Sequence, residues 1–289
     1  MKIGVHGKEF TRQFTPFIQR IFELLAGHEL FVSSRFEASL KSSAFKKFKW
    51  KTYEVGDPLK NIQFFISIGG DGTLLECVSH IGRTEIPILG INTGRLGFLA
   101  TISRDETEKA LAQVLNGEFA LDKRSVLKLE SEPTVFGKLN FALNDFTIVK
   151  KDTSSMITIH TFIDGEFLNS YWADGIIVST PTGSTGYSLS CGGPLIFPRS
   201  GNFVITPVSP HNLTVRPIVV SDSSEISFHI EGRSKKFLVS LDSRIATVDN
   251  TMKLKVRKAD FKVNLIQLEG HHYFKTLRQK LNWGLDIRN

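Results

Sequence analysis

Phe64-Phe65-Ile66-Ser67-Ile68 runs directly into Gly69-Gly70-Asp71-Gly72-Thr73-Leu74-Leu75. A near-continuous apolar run reads as a parallel strand covered on both faces. The glycines and the helical pattern behind them put a strand-to-helix turn at its carboxyl end. Such a turn holds phosphate, because glycines let the backbone approach a ligand and exposed N–H groups point at its oxygens. Asp71 stands in the middle of the turn. An acid where phosphate would bind is electrostatically awkward, which implies a task such as steering a hydroxyl or a metal. The stretch has neither the Lys of the Walker pattern nor the spacing of the GxGxxG dinucleotide fingerprint. It points to a different kind of phosphate enzyme.

On both sides of this turn, strand and helix signals alternate. Lys2 to His6 reads as a short strand. Thr15-Pro16 opens a helix, with Thr as cap and Pro at the first helical position, and Phe17, Ile18, Ile21, Phe22, Leu24 and Leu25 form its apolar face. Glu29 to Ser33 is a second strand and Ile86 to Ile91 another buried one. Residues 38 to 60 are polar and basic and suggest a mobile flap. Ser103 and Glu106 make a capping box for a helix that Asn116-Gly117 ends. This is an open α/β half, in which ligands bind at the carboxyl ends of the strands. The Asn92-Thr93-Gly94-Arg95-Leu96-Gly97-Phe98 turn lies at one such end, next after the glycine turn.

Beyond about residue 120 the period becomes two. Ser125 to Glu130, Phe141 to Lys150, Met156 to Ile163, Gly175 to Thr180, Glu225 to Ile230, Phe237 to Leu241, Lys253 to Arg257 and Lys262 to Leu268 read as strands. Turn signals such as Asp164-Gly165, Glu231-Gly232 and Asp249-Asn250 separate them. Strand after strand without helices predicts an all-β second domain. The chain ends in a helical stretch with Phe274, Leu277 and Leu281 on one side.

The 289 residues carry a net charge of +7, which suits an anionic small molecule, a nucleic acid or a membrane surface. Lys46-Lys47-Phe48-Lys49-Trp50-Lys51 interleaves cations with aromatics as nucleic-acid binders do; the alternative is a solvated loop whose aromatics pack inward. Cys77 and Cys191 lack metal-ligand spacing, and so few cysteines fit a reducing cytoplasm. The N-terminus has no signal-peptide pattern, and no apolar run reaches the roughly 18 residues of a membrane span. The charge does not choose among these partners. Nucleic-acid binding is suggested by charge alone and no spanning segment is read, so neither a nucleic acid nor a membrane is the expected partner, and the expected location is cytoplasmic.

A second polar constellation spans Asp174 to Pro194, where the apolar Ile176 to Val178 enters Ser179-Thr180-Pro181-Thr182-Gly183-Ser184-Thr185-Gly186-Tyr187-Ser188-Leu189-Ser190. Such a loop offers hydroxyls and N–H groups to a polar ligand, and Tyr187 adds a flat face with a polar tip. By itself it also fits a plain connecting loop.

Gly69-Gly70-Asp71-Gly72-Thr73 resembles the signature shared by NAD kinases, diacylglycerol and sphingosine kinases and 6-phosphofructokinases. Asp174-Gly175 through Gly193-Pro194 resembles specifically the second signature of NAD kinases. Leu143-Asn144-Asp145 resembles that family's Asn-Glu pair, and Thr206-Pro207-Val208-Ser209-Pro210-His211 with Arg216-Pro217 a further stretch. The ending Trp283-Gly284-Leu285-Asp286-Ile287-Arg288 resembles Bacteroidetes members. The resemblance covers essentially the whole chain.

It implies an α/β N-terminal open-sheet (Rossmann-like) domain over 1–120, an all-β C-terminal sandwich domain over 121–270, and a segment 271–289 packing back on the first. It implies transfer of phosphate from ATP to the 2′-hydroxyl of the adenosine ribose of NAD, in a site between the domains. Asp71 would be the proton acceptor. Gly69, Gly70, Gly72 and Thr73 would cradle the donor phosphates. Mg²⁺ would ride on those phosphates with no carboxylate cage of its own. Asn144 would pair with the adenine edge and Asp145, one methylene shorter than the family's usual Glu, would hold ribose hydroxyls. Asp174 would contact the nicotinamide side. Thr185, Tyr187 and Ser190 would line the adenine and nicotinamide pockets, with Ser184, Gly186, Ser188 and Leu189 in the same segment. Arg244, in Asp242-Ser243-Arg244, could reach a substrate phosphate or serve as a solvated strand-end cation. His211 in its Pro-rich turn reads as structural. A homotetramer or homodimer built through the β domain is implied, for which an open sheet edge supplies the physical reason. Without the resemblance, Asp71 also fits an Asx turn and Asn144-Asp145 a turn between strands. The competing activity is a lipid or sugar-phosphate kinase with the same glycine loop.

Overall fold

The computed structural model describes residues 1–152 and 155–284; Leu285 to Arg288 of the C-terminal resemblance lie outside the described residues. The chain divides into two compact units. One comprises Met1–Lys123 and the chain from Val263 onward, the other Arg124–Lys262.

In the first unit the elements are β1 (Lys2–Gly7), α1 (Thr15–Leu24), β2 (Glu29–Ser33), α2 (Ser34–Glu37), β3 (Lys51–Tyr53), β4 (Phe64–Gly69), α3 (Asp71–Ile81), β5 (Ile88–Asn92) and α4 (Thr107–Leu115). The strands form a parallel sheet in the order β5-β4-β1-β2-β3. Ile3, Val5, Ile66, Ile68, Leu89 and Ile91 pack there with Ile18, Ile21 and Phe22 of α1 and Leu111 and Val114 of α4. Burying each such side chain is worth about 1.5–3 kcal/mol. Because the chain winds outward from β1 in both directions, the order reverses between β1 and β4. That switch point is where an open α/β sheet leaves a crevice at its carboxyl edge.

Three expectations for this unit change. The residue before α1 is Phe14, which follows a 3₁₀ turn, so Thr15 lies inside the helix and makes no cap. Residues 38 to 60 are not a flap. Phe45, Phe48 and Trp50 ring the buried Phe22, with ring centroids 5.8, 5.5 and 5.7 Å away, and β3 pairs with β2. Lys47 and Lys51 meet Glu23 and Glu29 at 2.9 and 2.6 Å. The aromatics of the basic run are thus packed inward rather than offered to bases. Finally, Ser103 and Glu106 do bond each other, but one turn ahead of α4.

The second unit contains β6 (Ala120–Glu132), which enters it at Arg124, then β7 (Phe141–Ala142), β8 (Asp145–Lys150), β9 (Ile157–Ile163), β10 (Glu166–Ala173), β11 (Gly175–Ser179), α5 (Tyr187–Ser190), β12 (Asn202–Val208), β13 (Ile218–Ser221), β14 (Ile226–Glu231), β15 (Lys236–Leu241), β16 (Arg244–Asp249) and β17 (Lys253–Gln267). One antiparallel sheet runs β10-β9-β14-β17 and the other β13-β12-β11-β8-β15-β16. Alternate residues of the two sheets share a core, among them Ile159, Phe228 and Val256 from the first and Phe146, Val178, Phe203 and Val239 from the second. This is the expected sandwich. The two strands read at 253–257 and 262–268 are a single strand of 15 residues. Its last residues return to the first unit, where Leu265 lies beside Ile88 of β5. A final helix, α6 (Tyr273–Leu281), buries Thr276 and Leu277, while Phe274 and Leu281 stay exposed. Among the described residues no helix is long and apolar enough to cross a membrane.

Candidate active site

In the first unit the site is built where β4 becomes α3. Gly70 is the residue ahead of the helix, and the first N–H groups of any helix lack intrahelical acceptors. Among the described residues, and apart from the local backbone, a side chain at Gly70 would meet nothing within 4 Å, and one at Gly72 only the Lys8 ammonium at 3.6 Å. The face of the turn is therefore open. Gly69 and Thr73 do not share that face. Thr73 is 3% exposed, and a Cβ on Gly69 would lie 2.2 Å from its Oγ1. The Thr73 N–H is spent on Gly70 O at 3.0 Å. These two residues shape the turn, and Gly70 to Gly72 present it.

Asp71 is engaged. Its Oδ2 accepts from the N–H of Phe98 at 2.8 Å, and its Oδ1 from Leu99 at 3.0 Å and Ala100 at 2.9 Å. The backbone reaches it because Gly97 has no side chain: a Cβ there would fall 1.9 Å from Oδ1. The turn is ordered from its other end by the buried Asn92, which accepts from Gly94 N at 2.7 Å and donates to Arg95 O at 2.7 Å. Asp71 thus sits in a nest of N–H groups, which holds the carboxylate in one orientation.

The second unit gathers the other candidates. The carboxylate of Asp242, almost wholly buried, accepts from the N–H of Leu143 at 2.9 Å, Asn144 at 2.8 Å and Asp145 at 3.3 Å. Asp242 has a positive φ of 52°. Thr180 donates its hydroxyl to Leu143 O at 2.5 Å and its N–H to Asn144 O at 2.9 Å. The loop after β11 lies flat on this pair: a Cβ on Gly183 would fall 2.1 Å from Asn144 O, and one on Gly186 would stand 3.9 Å from Asn144 Nδ2 and 4.0 Å from Asp145 Oδ2. Burial, then the charge of Asp242, pushes the Asp145 carboxyl up to about 7. Asp242 is itself raised by burial and drawn back by its three N–H donors and Arg244. Tyr187 is exposed, and its hydroxyl is raised by burial, then by Cys191 and by the charges of Asp174 and Asp145, which face it. Asp174 pairs with Lys150 at 2.6 Å. Asn144 Oδ1 is buried without a partner.

Asn144, Asp145, Asp174, Gly186 and Tyr187 therefore come together, with Thr185 and Leu189 partly exposed and Ser190 exposed beside them. Ser184 and Ser188 do not face outward. Ser184 bonds Pro181 O at 2.7 Å and Ile196 N at 3.0 Å, and Ser188 bonds Thr206 Oγ1 at 2.8 Å. Arg244 gives its guanidinium to the carbonyls of Leu139 and Phe141 and stacks over the Phe141 ring. That placement ties Arg244 to the chain ahead of Asn144 rather than to a ligand. His211 packs on Trp172, with centroids 4.2 Å apart. Asp242 and Thr180, which carry the geometry, were not singled out from sequence. Among the described residues no group of three His, Cys, Asp or Glu is placed to hold a metal.

Comparison with known proteins bears on both halves. The family model for the ATP-NAD kinase N-terminal domain matches residues 14–119, and that for the ATP-NAD kinase C-terminal domain matches 143–268. The chain is 52% identical to an NAD kinase of Cytophaga hutchinsonii and 43% identical to one of Bacteroides fragilis, covering 100% of both chains in each case. Among solved structures it is similar to an NAD kinase from Archaeoglobus fulgidus in complex with ATP, at 26% identity and a TM-score of 0.73, covering 98% of this chain and 99% of that one. A yeast NADH kinase complexed with NADH shares the fold at 22% identity and a TM-score of 0.86, covering 100% of this chain and 89% of that one. The chain belongs to the ATP-NAD kinase family.

Proposed function

We infer that this member of the ATP-NAD kinase family transfers the γ-phosphoryl group of ATP to the 2′-hydroxyl of the adenosine ribose of NAD, giving NADP and ADP. The observation that carries the reading is the orphaned Asn144 Oδ1, buried beside Asp145 and under the Gly183–Tyr187 loop. A buried acceptor without a donor is costly, and the exocyclic amine of adenine supplies one while the Asn144 amide donates to a ring nitrogen. Asp145 accepts from ribose hydroxyls, and Tyr187, with Asp174 near it, borders the rest of the dinucleotide. These roles stand or fall with the substrate.

Gly70 and Gly72 receive the donor phosphates on open N–H groups. Mg²⁺ would be held by the nucleotide phosphates rather than by a carboxylate cage, and would supply charge neutralisation there. The hydroxyl oxygen forms its bond to the γ-phosphorus as the bond to the bridging β-γ oxygen breaks. Because this transition state is loose, the nucleophile needs alignment more than early deprotonation. Asp71 supplies alignment: its three N–H donors leave it a fixed acceptor, to which the hydroxyl proton passes late before reaching water.

The lipid- or sugar-phosphate-kinase alternative rests on the glycine loop alone, whereas the match to the NAD kinase family also takes in Asn144 to Ser190. A cytoplasmic location suits two free cysteines. A homodimer or homotetramer through the second unit is supported by the sheet edge β16, where Ile245 is 69% exposed, and light scattering on the purified chain tests it. The activity is tested by mixing protein, NAD and Mg-ATP and reading NADP through a dehydrogenase that accepts only NADP. NADP formation supports the reading; none with ATP, and none with polyphosphate as donor, refutes it.

A further inference from the structure

The glycine turn carries no lysine, and its one ionised side chain, Asp71, has the wrong sign for a triphosphate. The cation comes from the neighbouring strand. β1 and β4 are adjacent and parallel, with Gly7 opposite Ile68, so the residue after β1 emerges at the switch point beside Gly69 to Gly72. That residue is Lys8. Among the described residues, and apart from the local backbone of α3, its Nζ is the one atom within 4 Å of where a Gly72 side chain would begin, at 3.6 Å.

We propose that Lys8 binds the donor phosphates and that Glu76 is its positioning residue; this rests on the kinase reading above. Glu76 lies one turn into α3 and aims the ammonium, with Oε1 3.1 Å from Lys8 Nζ. Its Oε2 is 2.9 Å from Arg35 Nη1 and 3.5 Å from His6 Nε2. An ammonium has three donors and Glu76 uses one. The Lys8 side chain is 42% exposed, so the remaining donors face outward over the turn. Around Glu76 the cations outnumber the carboxylate. His6 is held neutral, its pKa lowered to about 4 by burial and then by His80, which leaves Lys8 and Arg35 against the single carboxylate of Glu76. Asp71 keeps its charge, stabilised by three N–H groups on the 98–100 segment, and Lys8 is the cation that offsets it at the turn.

The test is titration calorimetry of the full chain with Mg-ATP and, separately, with NAD. A hydrogen bond to a charged group is worth enough to weaken Mg-ATP binding about 10- to 100-fold in Lys8→Ala, with NAD binding unchanged. Lys8→Arg restores most of the loss, and Glu76→Gln costs a smaller factor. A half-exposed side chain leaves the fold intact, which melting curves check. Mg-ATP binding by Lys8→Ala within about two-fold of wild type, equal loss of NAD and ATP binding, or a wild type that does not bind Mg-ATP each overturns the proposal. The readout needs no turnover, so Lys8-dependent ATP binding in a protein that makes no NADP would sink the kinase reading and leave this one standing.

Discussion

Replacing Asp71 by Asn keeps the side chain's shape and removes its charge and one acceptor. In the native protein the two carboxylate oxygens accept three N–H groups, from Phe98, Leu99 and Ala100, at 2.8 to 3.0 Å. The best rotamer of Asn turns its oxygen to Leu99 and Ala100 and so faces its NH₂ toward the Phe98 N–H, donor against donor. Two bonds then fall from charged to neutral strength, and one N–H loses its partner. With charged bonds worth about 1.5–3 kcal/mol and neutral ones about 1, and some relief from solvent at this partly exposed site, the loss comes to about 2–4 kcal/mol. For a unit of this size that is about 5–15 °C in melting temperature. The assay is a thermal melt by circular dichroism, run beside NADP formation on the same samples. Asp71→Asn should melt lower and turn over orders of magnitude more slowly. A melting temperature within 1 °C of wild type would show that the N–H nest does not hold this carboxylate, and the alignment role derived from it would fail whatever the rate.

Gly97→Ala places a Cβ 1.9 Å from Asp71 Oδ1, so it should displace the carboxylate and cut kcat by at least about ten-fold, while leaving the KM for NAD near wild type; rate assays on the variant check this. Asp145, raised to about 7 by burial and Asp242, should become a full acceptor as pH rises from 6 to 8, so the KM for NAD should fall over that interval and lose its slope in Asp145→Asn. The same shift acts on stability: between about 4 and 7 the native state holds a proton that the unfolded chain has released, so this group lowers stability as pH rises, and melts of Asp145→Asn should lack that contribution. His6 has the opposite sign. Its pKa of about 4 lies below the free value of 6.5, so its contribution is present above 6.5 and is lost as pH falls toward 4. Melts of His6→Asn from pH 7 to 5 should miss a decline of about 2 kcal/mol seen in wild type.

What could be read from the chain followed from local periodicity. The buried strands β4, β5 and β11 are continuous apolar runs, and β4 is punctuated by the glycines that make the open turn ahead of α3, so both fold class and turn were legible. Edge strands were not. Among the described residues β3, β10, β13 and β16 pair on one side only, and their partly polar sequences look like loops until a neighbour is known. The basic run at 46–51 was ambiguous because its aromatics find Phe22, which lies far off in sequence. Within the candidate site, Asp71, Asn144 and Asp145 stand in recognisable motifs, whereas Asp242 and Lys8 are brought to them by contacts between distant parts of the chain. Asp242 acts on Leu143 across 99 positions, and Lys8 reaches Gly72 only because β1 lies beside β4. Ser184 and Ser188 show the converse: their hydroxyls belong to a motif that suggests ligand contact, yet both are buried and bonded within the protein.

The central claim is the transfer of phosphate to one particular hydroxyl. Incubating the protein with γ-labelled Mg-ATP and either NAD or 2′-deoxy-NAD, and separating the nucleotides, tests it most directly. Label should appear in NADP from NAD and in no product from the 2′-deoxy compound. Labelling of both would place the reaction at another hydroxyl, and labelling of neither would contradict the assignment of the chemistry.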